Sequence, residues 1–218
     1  MKIRKDITFP VIVGTGCARS GTAFLANLLT QGGIPMGHET YYGCPGFGEW
    51  RDGMVGDVSW LAGPFLPKEK IRGAITIQIV RHPLKHISSM NHVHTFEDHN
   101  FRANIYTIFK ELYLPTMRRY RVLDRYIYNW IRWNKMIEDH VDLIYRLEDL
   151  VKNPKEIFED LGWDIGKKKL NTKKVNTYSN VKQYEWKDFR DCLLYNELLN
   201  AAGHYKYLTE QEIKDLKK

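Results

Sequence analysis

A short apolar run followed by a glycine-rich turn constrains the fold of this chain more than any other feature. The run "FPVIV", residues 9–13, is typical of a buried strand, and "GTGCARSGT", residues 14–22, follows it directly. A helical pattern then covers residues 22–31 and meets the pair Gly32-Gly33, which commonly ends a helix. A strand, a glycine-rich turn and a helix together predict a phosphate-binding loop.

This loop differs at one position from the loop of nucleotide triphosphatases. Those enzymes carry G-x-x-x-x-G-K-[ST]; here the spacing fits from Gly16 to Gly21, but Thr22 stands in place of the lysine. Backbone N–H groups and the positive end of the following helix still favour an anion. Arg19 adds a permanent charge in a forked shape that suits phosphate or sulfate. The pattern predicts an anion site, and a purely structural turn is the alternative.

Strand and helix patterns alternate along the rest of the chain. Strands are predicted at 34–37, 74–80 and 142–147, and helices at 83–93, 153–161, 185–202 and 101–140, the last with a break near Pro115. A long irregular connection is predicted at 40–67, which is rich in Gly, Pro and Trp. Such alternation predicts a single α/β domain over 1–218, with a central parallel sheet flanked by helices. Ligands of such folds lie at the carboxyl ends of the strands.

Composition narrows the class of protein. The length of 218 residues suits one domain, and the net charge of +7 favours an anionic partner, although a solvated basic surface explains the charge equally well. Three cysteines without C-x-x-C spacing argue against a disulfide framework and against a zinc site. The sequence shows no signal peptide or membrane span, so we expect a cytoplasmic protein. Dispersed charge and the lack of a nucleic-acid motif argue against a nucleic-acid partner.

A second motif follows the strand predicted at 74–80. In "IVRHPLKHISS", residues 79–89, Arg81 ends the strand and Ser89 lies eight positions further on, about two turns into the predicted helix. An arginine and a serine placed in this way can grip a second phosphate. The pair is common in unrelated sequences, so its meaning depends on the loop before it.

Together these motifs resemble those of the sulfotransferase family, whose members use 3′-phosphoadenosine 5′-phosphosulfate as sulfuryl donor. "GTGCARSGTAFL" resembles the family's 5′-phosphosulfate loop, and "RHPLKHISS" resembles its 3′-phosphate motif. "YRLEDLVKNPKEIFEDLGW", residues 145–163, is similar to the family's E-D-L-x-x-N-P segment. The order and spacing agree over residues 11–163. The resemblance implies a fold of the P-loop nucleotide-binding type and sulfuryl transfer to a hydroxyl or amine.

The resemblance also implies a set of donor-binding residues. Arg19 stands where the family neutralises the leaving phosphate, and Arg81 and Ser89 stand where it binds the 3′-phosphate. The residues implied at the 5′-phosphosulfate are Gly16, Cys17, Ala18, Arg19, Ser20, Gly21, Thr22 and Ala23. Residues 176–189 loosely resemble a segment that closes over the donor, which adds Ser179, Lys182 and Tyr184 as further contacts. The family's transfer needs no metal. Leu147 replaces the aromatic residue that often precedes E-D, so the adenine contact is unassigned.

The catalytic base is expected just after the second predicted strand. Sulfuryl transfer to a hydroxyl needs a group that takes its proton. Glu39 lies beside the loop at the carboxyl edge of the sheet, and "GHE" is similar to an arrangement in which sulfotransferases use a glutamate as base. His38 is the alternative, and its side chain points away from Glu39 if the strand continues through both residues.

The acceptor is predicted to lie under two segments, 41–67 and 92–102. Tyr41, Trp60 and His92 are the candidate acceptor contacts, because aromatic and polar faces suit a sugar or another polyhydroxy molecule. A small molecule or a glycan is therefore the predicted partner, and a phenol fits almost as well. Two other functions remain open from the sequence: a P-loop nucleotide kinase or phosphotransferase, and a non-enzymatic basic module that binds anions.

Overall fold

The computed structural model describes residues 11–43, 48, 51–93, 121–173 and 180–218. Two compact units make up the chain. The first comprises residues 1–81 and 133–177, and the second comprises residues 82–132 and 178–218. That a single sulfotransferase-like domain covers residues 1–218 stays a prediction.

A parallel sheet of five strands forms the centre of the first unit. In chain order the strands are β1 (Ile12–Thr15), β2 (Met36–His38), β3 (Gly56–Val58), β4 (Ile75–Val80) and β5 (Leu143–Arg146). Their spatial order is β2-β3-β1-β4-β5, and every neighbouring pair is parallel. The predicted α/β class, a central parallel sheet flanked by helices, is confirmed.

Eight α-helices are described between and after these strands. In chain order they are α1 (Thr22–Gly32), α2 (Leu66–Ile71), α3 (Pro83–His92), α4 (Val122–Glu138), α5 (Leu147–Lys152), α6 (Glu156–Asp160), α7 (Tyr195–His204) and α8 (Glu210–Leu216). Short 3₁₀ helices cover Trp60–Phe65 and Trp186–Phe189. Helix α4 lies within the helix predicted over 101–140, whereas residues 101–120 lie outside the described part of the chain.

Helix α1 carries the largest share of the core beside β1. Phe24, Leu25, Leu28 and Leu29 lie on one face at helical spacing and are buried against the sheet. Each such side chain stabilises the fold by about 2 kcal/mol when it is fully buried. The helix ends as its glycine pair predicts, with Gly33 in the left-handed conformation at φ 99°.

The amino end of the sheet is held by one carboxylate. Asp142 precedes β5, and its Oδ2 accepts hydrogen bonds from the Thr76 amide (2.9 Å) and the Thr76 hydroxyl (2.8 Å). Lys70 pairs with the other oxygen. Burial raises the pKa of Asp142, but the bonds from Lys70 and Thr76 outweigh it and leave the pKa below its usual value. The register of β4 and β5 is therefore fixed by a fully bonded cluster.

The second unit is helical in its described part. Helix α3 begins after His82, whose Nδ1 accepts from the Leu84 amide at 3.3 Å. The His82 ring packs against Tyr207 and Trp186, with ring centres 5.0 and 5.9 Å away. Asp124 is fully buried in the first turn of α4 and accepts from the Leu194 amide at 3.3 Å.

Several elements differ from the sequence predictions. The connection predicted as irregular at 40–67 contains β3, a 3₁₀ helix and the start of α2. The sequence did not predict β3 because Gly56 and Asp57 disfavour a strand locally, and the strand forms only through its pairing with β1 and β2. The strand predicted to end at Leu147 ends at Arg146, because Leu147 is the first residue of α5. The helix predicted over 185–202 is divided: a capping box of Glu185 and Asp188 starts a 3₁₀ helix, and α7 begins only at Tyr195.

Candidate donor-binding site

The glycine-rich loop leaves β1 at the carboxyl edge of the sheet and enters α1. Gly21 precedes the helix with φ 109°, a conformation that favours glycine. Gly16 lies against the next strand so closely that a Cβ there would come 2.3 Å from the Ile79 carbonyl oxygen. Both glycines of the motif are therefore required by the path of the backbone. Within the described ranges no side chain caps the amino end of α1, and the first turn of the helix carries no acidic residue, so no described group offsets the positive end of the helix.

Arg19 occupies an unusual backbone conformation within this loop. Its φ is 70°, in the left-handed region where a residue with a branched or long side chain costs about 1–3 kcal/mol. Arg81, which follows β4, donates from Nη1 to the Arg19 carbonyl oxygen at 3.0 Å. This bond joins the two predicted donor-binding motifs. The strained backbone of Arg19 is thus held by the side chain of a second arginine.

Two buried hydroxyls of the loop have unused hydrogen-bonding capacity. Among the described residues, neither the Thr15 Oγ1 nor the Ser20 Oγ has a hydrogen-bond partner, although both side chains are fully buried. Buried polar groups in folded proteins are nearly always bonded. Cys17 and Ala18 are buried as well, and the Ser20 amide closes a turn to the Cys17 carbonyl oxygen at 2.9 Å. The loop is therefore formed and packed, with polar atoms left over for a ligand.

His38 and Glu39 lie beside the start of α1. The His38 Nε2 is 3.2 Å from the Thr22 hydroxyl and 3.7 Å from the Glu39 Oε1. The expectation that the two side chains point apart depended on a continuous strand and is wrong. β2 ends at His38, and Glu39 turns into the left-handed region with φ 53°. Both candidate bases are consequently next to the loop, and both are partly exposed.

Asp57 is the residue of this region that sequence reasoning missed. It lies in the middle of β3 and is fully buried. Its carboxylate accepts from the amides of Thr40, Tyr41 and Tyr42, the residues that follow Glu39. The signal in the sequence was an acidic residue between Gly56 and Val58, which reads as part of a turn because Asp is rare in strands.

The predicted acceptor contacts have different surroundings. Tyr41 is partly buried and meets the ring of Tyr42 edge-on, with ring centres 4.9 Å apart. Trp60 packs against Trp133 at 5.3 Å and is 9% exposed, so little of its surface faces solvent. His92 is partly buried in the last turn of α3, in the second unit. Their roles toward an acceptor stay predictions, as do the segments 41–67 and 92–102.

The remaining predicted donor contacts belong to the second unit. Ser89 lies about two turns into α3 and is 6% exposed. Tyr184 packs against Phe189 at 5.3 Å, and the Lys182 ammonium lies 4.8 Å from the Tyr184 ring centre. Ser179 lies outside the described residues. In the first unit, Tyr145 on β5 is the aromatic residue that lies two positions before Leu147; it is 7% exposed, and its hydroxyl donates to Asp160 at 2.5 Å.

Neither a metal cluster nor a membrane helix occurs in the described part of the chain. No group of three or more His, Cys, Asp or Glu side chains there is arranged to hold a metal ion. No helix of the described ranges is both long and apolar enough to cross a bilayer.

Comparison with known proteins shows a similar fold. The crystal structure of a sulfotransferase from Alicyclobacillus acidocaldarius matches with a TM-score of 0.53 and 14% sequence identity, over 95% of this chain and 100% of that chain. At this identity the likeness concerns the fold. No protein-family model matches the sequence, and a comparison with curated proteins finds no match.

Proposed function

We propose that this protein is a sulfotransferase that moves a sulfuryl group from 3′-phosphoadenosine 5′-phosphosulfate to a hydroxyl or amine of an acceptor. The observation that carries the proposal is the loop at residues 16–22: Arg19 is held in a strained conformation by Arg81, and the buried Ser20 hydroxyl has no partner in the described chain. A loop that binds nothing has no need of either feature. The likeness of the fold to a sulfotransferase supports the same conclusion.

The residues present fit the donor. The loop amides and the uncapped end of α1 would hold the 5′-phosphosulfate, with the Ser20 and Thr22 hydroxyls as further donors. Arg19 would neutralise the phosphate that leaves, and Arg81 and Ser89 would bind the 3′-phosphate. The donor supplies an activated sulfuryl group and a phosphate leaving group. The protein contributes position and positive charge, as enzymes of phosphoryl transfer do.

Glu39 is the base in this proposal. Its carboxylate lies 3.7 Å from the His38 Nε2, and the same nitrogen is 3.2 Å from the hydroxyl of Thr22, the first residue of α1. An acceptor hydroxyl bound beside Glu39 loses its proton to the carboxylate, and in-line attack follows on the sulfuryl group. His38 can orient Glu39 through their contact. If Glu39 only orients His38, the histidine becomes the base.

The acceptor is proposed as a small molecule or a glycan, because Tyr41, two residues after the proposed base in the sequence, has the aromatic and polar character that suits such a molecule. The cytoplasmic location stays a prediction. A nucleotide kinase is the competing function, and it is disfavoured by Thr22 in place of the lysine that kinase loops of this spacing require.

A screen of acceptors tests the proposal. The protein is incubated with sulfur-labelled donor and pools of sugars, phenols and amines, and the products are identified by mass spectrometry. We expect a sulfated product whose formation requires no added magnesium. Transfer of phosphate from ATP–magnesium, with no sulfated product in any pool, would assign the protein to the phosphotransferases instead.

A further inference from the structure

We propose that Asp57 is the positioning residue that holds Glu39 in its left-handed conformation and so keeps its carboxylate beside His38. The catalytic part of this proposal depends on the proposed function, whereas the conformational part does not.

The first observation is the convergence of three successive amides on one buried carboxylate. The Asp57 Oδ1 accepts from the Thr40 amide at 3.3 Å, and its Oδ2 accepts from the amides of Tyr41 at 3.0 Å and Tyr42 at 2.9 Å. The Asp57 side chain has no exposed surface. Hydrogen bonds to an ionised acceptor are the strong ones, and burial strengthens them further.

The second observation is the position of Glu39 between two anchors. The Glu39 amide donates to the Val58 carbonyl oxygen at 3.1 Å, and the next amide, that of Thr40, donates to Asp57. Adjacent residues of β3 therefore bind adjacent residues of the segment after β2. An extended Glu39 would advance the chain about 3.3 Å along the strand direction and carry the Thr40 amide away from Asp57. The left-handed turn, with φ 53°, satisfies both anchors.

The third observation is the space reserved for the carboxylate. Gly37 pairs with Asp57 in the register of β2 and β3. A Cβ at Gly37 would come 2.6 Å from the Asp57 Oδ1 and 2.9 Å from the Thr40 Oγ1. An alanine at this position therefore pushes against the carboxylate and against the residue that it binds.

The turn determines where the Glu39 side chain lies. Successive side chains of an extended strand point to opposite faces. Because β2 ends at His38 and Glu39 turns, the two side chains instead lie 3.7 Å apart. Asp57 thus acts on the proposed base through the backbone, without contact with the reacting atoms.

The test compares Asp57→Asn with the unchanged protein by NMR on the full chain. The amide side chain keeps the shape but presents an NH₂ group to backbone donors, so at least one of the three bonds is lost. We expect the coupling constant between the Glu39 amide and Hα protons to leave its left-handed value. Amide exchange at residues 40–42 should accelerate at least about tenfold. Asp139→Asn, which changes an exposed carboxylate of the same unit, should alter neither measurement.

Gly37→Ala provides a second approach if Asp57→Asn does not fold. This variant keeps the Asp57 carboxylate chemically unchanged but displaces it by contact with the new Cβ, so the same change at Glu39 is expected. A Glu39 that keeps its left-handed coupling constant in every folded variant would overturn the proposal.

Turnover separates positioning from general stability. It is measured as release of 3′-phosphoadenosine 5′-phosphate from the donor, with the best acceptor of the screen, or with water where the screen finds none. Asp57→Asn should lower kcat about a hundredfold, as expected for a misplaced catalytic group, while donor affinity is unchanged. In a Glu39→Gln background, Asp57→Asn should cause no further loss of kcat. A second loss of the same size would assign Asp57 a role separate from that of Glu39. If the unchanged protein shows no turnover, the NMR result still decides the conformational claim, while the proposed function fails.

Discussion

The two ends of the central sheet are built in opposite ways. At the amino end, Asp142 binds Thr76 and Lys70, and these polar groups satisfy one another. At the carboxyl end, Arg19 and Glu39 both occupy the left-handed region. The Ser20 hydroxyl there has no partner in the described chain. Both ends use an aspartate, which is buried at the carboxyl end (Asp57) and partly exposed at the amino end (Asp142). Of the two ends, only the carboxyl end has non-glycine residues with positive φ among the described residues.

This difference suggests that the amino end of the sheet serves stability and that the carboxyl end serves the proposed function. Strained conformations and unsatisfied polar groups persist where surrounding contacts hold them, and they concentrate at functional sites. Arg81 holds Arg19 through a carbonyl oxygen, and Asp57 holds the residues after Glu39 through their amides. Changes at the carboxyl end should therefore affect activity, and changes at the amino end should affect folding.

The largest effect is expected from Glu39→Gln. The amide cannot take a proton, so turnover should fall about 10²–10⁴-fold. Affinity for 3′-phosphoadenosine 5′-phosphate, measured by calorimetry, should be unchanged. Glu159→Gln, at an exposed site on α6, serves as the control. Full turnover in the Glu39 variant would transfer the role of base to His38.

The next effect is expected from Arg81→Ala, which removes both a proposed phosphate contact and the bond to the Arg19 carbonyl oxygen. Affinity for 3′-phosphoadenosine 5′-phosphate should fall about a hundredfold and affinity for 5′-AMP about tenfold, because the loop loses its support in both cases. Arg132→Ala, which truncates an exposed arginine on α4, should change neither affinity. Unchanged binding of 5′-AMP would show that Arg81 does not support the loop.

A smaller effect is expected from Ser20→Ala. The hydroxyl has no partner in the described structure, so its removal should leave the free energy of unfolding unchanged or raise it by about 1 kcal/mol. Affinity for the nucleotide should fall about tenfold, as for one lost hydrogen bond to a charged group. Loss of stability without loss of affinity would assign Ser20 to the fold alone.

The smallest effect on activity is expected from Asp142→Asn. At pH 7 the free energy of unfolding should fall by about 1 kcal/mol, since the cluster is partly exposed, and kcat should not change. Because the pKa of Asp142 is lowered in the folded state, its stabilisation is complete above the usual value of 3.8 and is lost as the pH falls through the folded-state pKa. Denaturation curves of the two proteins should therefore converge in acid. A constant difference at every pH would contradict this account.

The conformation of the glycine-rich loop could be predicted from sequence because it depends on residues close together in the chain. Gly16, Gly21 and Arg19 lie within six residues, between an apolar strand and an amphipathic helix, and each residue type has a role that follows from its own chemistry. The start of α1 at Thr22 and the strand Ile75–Val80 were predictable for the same reason. The bond from Arg81 to the Arg19 carbonyl oxygen was not, since it joins residues 62 positions apart.

The sequence predicted the candidate bases in the segment around Glu39 but not the conformation of that segment. Its conformation depends on Asp57, which lies in a strand that forms only through pairing with β1 and β2. Local propensity opposes that strand, so tertiary contacts decide it. The sequence identified Glu39 and His38 as candidate bases. Their side chains lie close together only because the backbone turns at Glu39, and no local sequence pattern indicates that turn.

Calorimetry in magnesium-free buffer with EDTA tests the central claim most directly. The protein is titrated with 3′-phosphoadenosine 5′-phosphate, 5′-AMP and ATP, and the ATP titration is repeated with magnesium. We predict micromolar or tighter binding of 3′-phosphoadenosine 5′-phosphate without metal, and much weaker binding of the other two. Preference for ATP with magnesium would contradict the assignment of the loop to a phosphosulfate.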